Sequence, residues 1–395
     1  MTQGVLHLVG RWRDGGVDAV AIRNARPHAA RVLVGRPVAE ALGLVPLLFS
    51  LCGRAQGLAA TAACAAAGAP GVVRPDAALA ERDITIETAQ EHLWRLMLDW
   101  PALFGHEPRR NRFAELHRRL ARVEQDPSSA FQLGGDLLDL VATQLLAGFF
   151  RSMREPRGLA EFIDCAEFGG SIGETLAALI RMGSSTPDAD AVALSPACSA
   201  ADWAARLGGM PDPAYCAAPT FDGRAMETGA LARQADARLV KVLLAHGHRI
   251  AARLFARIIE LGDCASRLRH PLQADLPPLL DAAPCGEWTG LACAQTARGV
   301  LIHVVRVEGE RIADYAVIAP TEWNFHPDGA FAREGVGWQA SDRDAALLRL
   351  RALALSLDPC VEFDVQLTDT DTDTDSDSDF DEQAGGDQRK GVADA

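Results

Sequence analysis

The sequence predicts an α+β fold that is mainly α: a helical core, small peripheral β-sheets and an acidic C-terminal tail. Three observations carry this. Segments at 85–100, 136–151 and 238–261 read as strong helices, with apolar residues at helical spacing. Strand-like patterns are confined to 1–35 and 300–319. The run TDTDTDTDSDSDFDE near the end has almost no apolar surface to offset the entropy of ordering.

Taken in order, residues 1–35 read as short strands, with Asp14-Gly15-Gly16 as a hairpin signal. Residues 39–68 are rich in Ala and Leu and read as helix interrupted at Pro46. Along 85–100, Ile86, Ala89, Leu93, Leu96, Met97 and Trp100 share a face, and Pro101 is the expected stop. Residues 186–223 read as irregular connection. Within 238–261, Ile250, Leu254, Phe255, Ile258 and Ile259 line one side, with Gly262 as the expected C-cap. VLIHVVRV (300–307) and RIADYAVIA (311–319) flank a turn and form a hairpin, and a helix at 342–356 follows. One domain is expected over 1–367, and a disordered low-complexity tail over 368–395.

Composition narrows the function. The 395 residues are 48% hydrophobic, enough for a large core. No apolar run is long enough to span a membrane. The N-terminus lacks a basic region followed by an apolar one, so no signal peptide is expected and the cytoplasm is the expected compartment. The net charge is −14, and from Asp369 onward ten acids face two bases. That distribution argues against a nucleic-acid partner. The nine cysteines are scattered, without a CxxC pair, so no disulfide framework is expected.

Two cysteines occupy similar local settings. In LSLDPCVEF, Asp358 is a good N-cap, Pro359 a favoured first helical residue, and Cys360 would lie in the first helical turn. In SLCGRAQ, Ser50 can cap and Cys52 again falls two residues later. A helix start lowers a thiol's pKa. Two such thiolates, brought together from opposite ends of the chain, can hold a soft or borderline metal. Ordinary packing of a small apolar side chain accounts for each cysteine equally.

Five segments resemble a known family. LVGRPVAEAL (33–42), running into SLCGRAQ (50–56), resembles the approach to the R-x-C-G-x-C-x-x-x-H motif of nickel–iron hydrogenase large subunits. ETAQEHLWRLMLDWP (87–101) resembles a helix of their maturation relatives. QTARGVLIHVVRVEGERIADYAVI (295–318) resembles the E-x-P-R-G-x-L-x-H segment. APTEWNFHPDG (319–329) resembles the P-T-x-W-N stretch, and LDPCVEF (357–363) the D-P-C-x-x-C-x-x-H/R motif. The chain resembles the non-catalytic HupK/HoxV-type accessory proteins more closely than the catalytic subunits, and the match is weak across 105–285.

The resemblance implies a large-subunit-like core in which the two motif loops meet. It also implies a loss. Cys52 and Cys360 fill the first cysteine position of each motif, whereas Ala55 and Phe363 fill the second, and Ala59 and Gln366 replace the motif histidines. In the catalytic family the second cysteines bridge nickel and iron. No stable nickel–iron centre is therefore expected. A half-site remains, able to hold iron with cyanide and carbonyl ligands transiently, with or without help from a partner's thiol. Arg298 matches the arginine over the family's metals and could donate to cyanide nitrogens. Asp358 matches another residue near that centre. The implied partners are the immature hydrogenase large subunit and other maturation proteins, and the implied role is a non-catalytic scaffold or chaperone. A catalytic subunit and a metal-free interaction protein are the alternatives.

Other candidates are weaker. His246 and His248, two apart on the expected helix, would face different sides. Glu91 and His92 could face a cleft but read more simply as a polar face. GGSIGETL (169–176) is compatible with an anion at a helix start but lacks the lysine and strand of a phosphate loop.

Overall fold

The computed structural model describes residues 4–24, 29–123, 126–151, 154–184, 191–270 and 277–369. The acidic segment from Thr370 onward lies outside the described residues. Helices build the centre and two four-stranded sheets flank it, as the pattern of the sequence predicts. No helix among the described residues is long and apolar enough to cross a membrane.

The first sheet joins the two ends of the chain. β1 (Leu6–Arg13) and β2 (Gly16–Asn24) form a hairpin turned at Asp14 and Gly15, both at positive φ. After a two-stranded pairing of β3 (Ala193–Leu194) with β4 (Met226–Glu227), the second sheet runs β5 (Leu280–Gly286), β6 (Thr289–Thr296), β7 (Gly299–Glu308) and β8 (Arg311–Ile318), antiparallel throughout. Its first two strands were not legible as strands; Ala, Gly and Cys dominate them and carry little β signal. β9 (Trp338–Gln339) and β10 (Phe363–Asp369) complete the first sheet in the order β10-β1-β2-β9, with β10 parallel to β1. β10 runs through Asp369, two residues past the expected end of the domain.

Helix α1 (Val38–Leu48) contains Pro46, and the break expected there comes at Phe49 instead. Helix α2 (Gly53–Ala66) lies on β6 so closely that a Cβ on Gly290 would meet the Ala63 carbonyl oxygen at 2.1 Å. Helix α3 (Ala77–Trp94) begins at an Asp76 cap, eight residues before the expected start. A wide π turn, Arg95–Asp99, follows it, and a short helix, Trp100–Leu103, continues. Pro101 thus starts a new helical piece, because the π turn removes the usual i−4 clash. The apolar face expected over 86–100 is fully buried.

The expected 238–261 helix is two helices. Arg238–Ala245 ends at His246, Gly247 turns at φ 73°, and the 21-residue Arg249–Arg269 helix begins. Gly262 lies inside that helix, not at its end. His246 and His248 belong to the break, not to one helical face. The expected 136–151 helix is Ala130–Leu140 followed by a π turn, Val141–Leu145. It packs on Arg249–Arg269 through Gly134, where a Cβ would meet the Ala265 carbonyl oxygen at 2.5 Å. The expected irregular segment contains two short helices, Ala200–Leu207 and Pro213–Ala217. The glycine-rich 169–176 stretch starts an ordinary helix, Gly170–Arg181.

Candidate functional site

The two motif cysteines come within electrostatic range of each other and of Arg298, but neither sits as its local sequence predicts. After α1, Ser50–Cys52 makes one 3-10 turn, and Cys52 is itself the N-cap residue of α2. The side chain of Ser50 lies outside the described residues. The first amides of α2 are capped from α3: Arg54 N–H donates to Glu87 Oε2 at 2.8 Å, and Ala55 N–H to Oε1 at 3.3 Å. A carboxylate thus already occupies the positive helix end. Burial dominates the thiol and pushes Cys52 up to about 12, with Glu87 and Cys360 adding to the rise and Arg298 opposing it. The expectation of a thiolate poised by the helix start fails at Cys52 for this reason.

Asp358 closes a helix rather than opening one. Helix Arg343–Leu357 ends there, with Asp358 at φ 55° and its N–H bonded to the Ala354 carbonyl oxygen at 3.1 Å. An acidic residue tolerates the left-handed conformation, and the proline behind it cannot continue the helix. Cys360 therefore lies in a bend between that helix and β10, not in a first helical turn. Thr321 grips it twice: its Oγ1 accepts the Cys360 N–H at 3.1 Å and donates to Cys360 Sγ at 3.1 Å. Thr321 belongs to the short Pro320–Asn324 helix. Three residues on, Asn324 Nδ2 donates to the carbonyl oxygens of Arg298 and Leu357 at 3.4 and 3.3 Å. The PTEWN stretch thereby ties the Arg298 turn to the Cys360 loop.

Behind the sulfurs stands a buried frame of charges. Three guanidinium groups converge on Asp358: Arg95 Nε at 2.7 Å, Arg257 Nη1 at 2.7 Å and Arg298 Nε at 3.7 Å. Burial alone would raise the Asp358 carboxyl; the three arginines together hold it well below the usual carboxylate range. Arg298 is 4% exposed, and its Nη2 donates to Glu91 Oε2 at 2.5 Å. Burial opposes its charge, but Asp358, Glu91 and the two cysteines hold it firmly protonated. Its Nε has no hydrogen-bond partner, the 3.7 Å separation being an ion pair only. Glu87 is buried and pushed up to about 7, against the pull of the two α2 amides.

A second polar file supports Cys52. Gln56 Nε2 donates to Cys52 Sγ at 3.4 Å, and Gln56 Oε1 lies 2.8 Å from His303 Nε2. His303 Nδ1 lies 2.7 Å from the Tyr315 hydroxyl. Burial pushes His303 down to about 3, so the ring is neutral. Its Nε2 then donates to Gln56 and its Nδ1 accepts from Tyr315.

The sequence reading found Cys52, Cys360, Arg298 and Asp358, and the fold gathers all four. It treated Glu91 as a simple polar face, whereas Glu91 holds Arg298; His92 turns away to Glu260 at 2.8 Å. It missed Glu87, Arg95 and Arg257. Their signal was spacing: Glu87, Glu91 and Arg95 fall four apart on one helical stripe, as do Arg249, Arg253 and Arg257. Arg249 and Arg253 make a separate buried network with Glu227 and Glu334. Ala55 is wholly buried beside Cys52, and Phe363 opens β10. No group of three or more His, Cys, Asp or Glu side chains placed to hold a metal ion occurs among the described residues.

Comparisons with known proteins place the chain in a family and a fold. The profile of the nickel-dependent hydrogenase family matches residues 276–365. The hydrogenase expression/formation protein HoxV of Cupriavidus necator is 33% identical, over 93% of this chain and 98% of its own. HupV of Azotobacter chroococcum mcd 1, also a hydrogenase expression/formation protein, is 31% identical over 92% and 98%. Among solved structures, the nickel–iron–selenium hydrogenase of D. vulgaris Hildenborough in its reduced state superposes with a TM-score of 0.53. It shares 15% identity, with 88% of this chain and 94% of that chain covered, so the likeness speaks for the fold alone. The helical core with flanking sheets is the hydrogenase large-subunit fold, and the chain belongs to the HupK/HoxV/HupV family of hydrogenase expression/formation proteins.

Proposed function

We propose that this chain is a non-catalytic maturation scaffold of the cytoplasm. It holds the iron–cyanide/carbonyl fragment of a nickel–iron site between Cys52 and Cys360, then yields it to the immature hydrogenase large subunit. The observation that carries this reading is the convergence of two thiols, from opposite ends of the chain, on one buried arginine. Each sulfur interacts electrostatically with the other and with Arg298.

The residues suit that cargo in three respects. Two sulfurs are soft donors fit for iron, and too few for a nickel–iron pair. The Arg298 Nε is buried without a hydrogen-bond partner, a donor available to a cyanide nitrogen. The raised thiol of Cys52 gives up its proton only on binding a cation, so a hold built on it is reversible. Thr321 and Gln56 orient the sulfurs, each donating a hydrogen bond to one of them. With Ala55 and Phe363 in place of further thiols, no cluster among the described residues replaces the ligands that the resemblance assigns to hydrogen activation in the catalytic family.

Infrared spectroscopy tests the proposal on protein purified without oxygen from cells that carry the maturation machinery. Cyanide and carbonyl stretches are expected in the parent and absent from Cys52→Ala and Cys360→Ala. A parent without such bands would remove the carrier role. A second reading, a metal-free interaction protein with the large-subunit fold, is favoured by the burial that keeps the Cys52 thiol protonated. It requires complex formation with the large subunit that is indifferent to both cysteine substitutions.

A further inference from the structure

On the carrier reading two cysteines leave iron short of ligands. A cavity of about 640 Å³ lies beside the site. Leu51 and Pro359 line it, each the neighbour in sequence of one motif cysteine. So do Arg298 and Glu91, the pair behind the sulfurs, and Phe363, which stands where the resemblance places a second thiol. The volume falls within the ~300–1,000 Å³ of pockets that enclose a whole ligand, much larger than a metal with diatomic ligands needs. At its mouth Leu51 and Trp94 are each 42% exposed, apolar side chains left without cover.

One wall of this cavity is a strand edge. β10 is terminal in its sheet and pairs only with β1 among the described strands. Leu6 faces Phe363 and its N–H donates to the Glu362 carbonyl oxygen at 3.0 Å. In a parallel ladder the backbone groups of Glu362, Asp364 and Gln366 then turn toward β1, and those of Phe363 and Val365 turn away from it. Phe363, Asp364 and Val365 all line the cavity. Further along, Arg343 occupies the edge by donating to the Leu367 carbonyl oxygen at 2.5 Å and pairing with Asp369. Among the described residues the edge is therefore closed at its far end and open beside the cysteines. An open edge of this kind accepts an added strand.

We infer that the open edge of β10 and its cavity receive an extended, thiol-bearing segment of the immature hydrogenase large subunit, which adds as a fifth strand and brings a third sulfur to the Cys52–Cys360 pair. This rests on the carrier reading for the thiol and on the strand edge for the docking. The segment supplies backbone hydrogen bonds to Phe363 and Val365. An apolar side chain covers Trp94 and Leu51, and a basic one meets Glu362 and Asp364, both in the cavity lining. Sulfur exchange at one iron, two donors on this chain and a third on the acceptor, gives the cargo a path outward without passing through water.

Hydrogen–deuterium exchange with residue-level readout tests it on the full chain, with and without the purified immature large subunit. The Phe363 and Val365 amides are expected to exchange rapidly alone and at least about tenfold more slowly in the complex. Phe363→Pro deletes one outward N–H at a position where an edge strand tolerates proline. It should weaken the complex at least about tenfold while the melt, lowered only by the lost packing of the Phe363 ring on the core, stays cooperative. Should that variant fold poorly, Trp94→Ala at the mouth should weaken it similarly. A complex that leaves both amides unprotected overturns the docking, even if infrared bands of the cargo are present. Protection that persists in the Cys52→Ala, Cys360→Ala double variant supports the docking even if the cargo reading has failed. Protection produced by raising the concentration of this chain alone would assign the edge to a second copy and overturn the proposed partner.

Discussion

Asp358→Asn is the sharpest probe of the charge frame. The substitution keeps the size of the side chain and a residue type that accepts φ 55°, so the helix end and the Cys360 loop keep their backbone. What it removes is the one carboxylate against which Arg95, Arg257 and Arg298 are set. Arg257 would retain its bond to the Ser356 carbonyl oxygen at 2.8 Å but lose the one anion within 4.0 Å of it among the described residues. Removing one partner from a buried ion cluster costs about 3–5 kcal/mol, because the remaining charge stays desolvated. Against a total stability of about 5–15 kcal/mol that is a large fraction, and in a domain of this size the melting midpoint should fall by roughly 4–7 °C. The pH dependence has a definite sign. The Asp358 carboxyl is held below its ordinary 3.8, so its contribution is present above that value and lost as pH falls through the depressed one. Urea unfolding followed by tryptophan fluorescence at pH 7 gives the size of the contribution, and a series carried below pH 3.8 gives its sign, with parent and variant drawing together as the pH falls. A variant within about 0.5 kcal/mol of the parent at pH 7 would mean that water or a bound anion already shares the work of Asp358, and the frame as described would be wrong.

Glu87→Gln should abolish a pH effect of the opposite sign. The Glu87 carboxyl rises from its ordinary 4.5 to about 7, so its contribution is complete below 4.5 and is lost as pH rises through 7. The parent should lose about 2 kcal/mol from this group between pH 5.5 and pH 8, a slope that unfolding titrations of the variant should lack. Gln56→Leu should destabilise by about 1–3 kcal/mol, because it leaves the buried His303 Nε2–H without its acceptor. Tyr315→Phe, which breaks only the outer link of that file, should cost less in the same urea assay.

How far the sequence could be read depended on whether a residue's neighbours were local. The face of Ile86, Ala89, Leu93 and Trp100 was legible because helical periodicity is a property of adjacent turns, and the β7–β8 hairpin because its strands are consecutive. β5 and β6 were not, since Ala282, Ala283, Ala292 and Ala294 look the same in a helix. The break at Gly247 was hidden because apolar spacing continues on both sides of it. At the site, Cys52 and Cys360 were visible through their motifs, but their settings were misread by one local rule. Asp-Pro reads as a helix start, and here the preceding fifteen-residue helix had already claimed Asp358 as its end. The charge frame was legible only in outline. Arg298 and Asp358 stood in motifs, whereas Glu87, Arg95 and Arg257 reach the site from other helices, and only tertiary packing reveals which charged stripe faces inward.

The frame also bears on what the pair of thiols can accept. Buried arginine–carboxylate clusters are poor sources of stability; well-packed apolar residues of similar volume often serve as well or better. Their effect here is positional and electrostatic. Asp358 fixes the direction in which the chain leaves its helix, and so where Cys360 stands; Glu87 fixes the first turn of α2, and so where Cys52 stands. Between them Arg298 places a permanent positive charge within reach of both sulfurs. A bare dication entering this space would be repelled by that charge, and the nearby carboxylates of Asp358 and Glu91 are already engaged with arginines, so the departure of thiol protons would have to compensate it. A metal already carrying anionic ligands meets the opposite situation: its negative groups find an unfilled Nε–H, and its net charge no longer opposes the guanidinium. On the carrier reading, then, selection between free metal ions and the finished iron–cyanide fragment lies with Arg298 rather than with the cysteines, which any soft cation would satisfy.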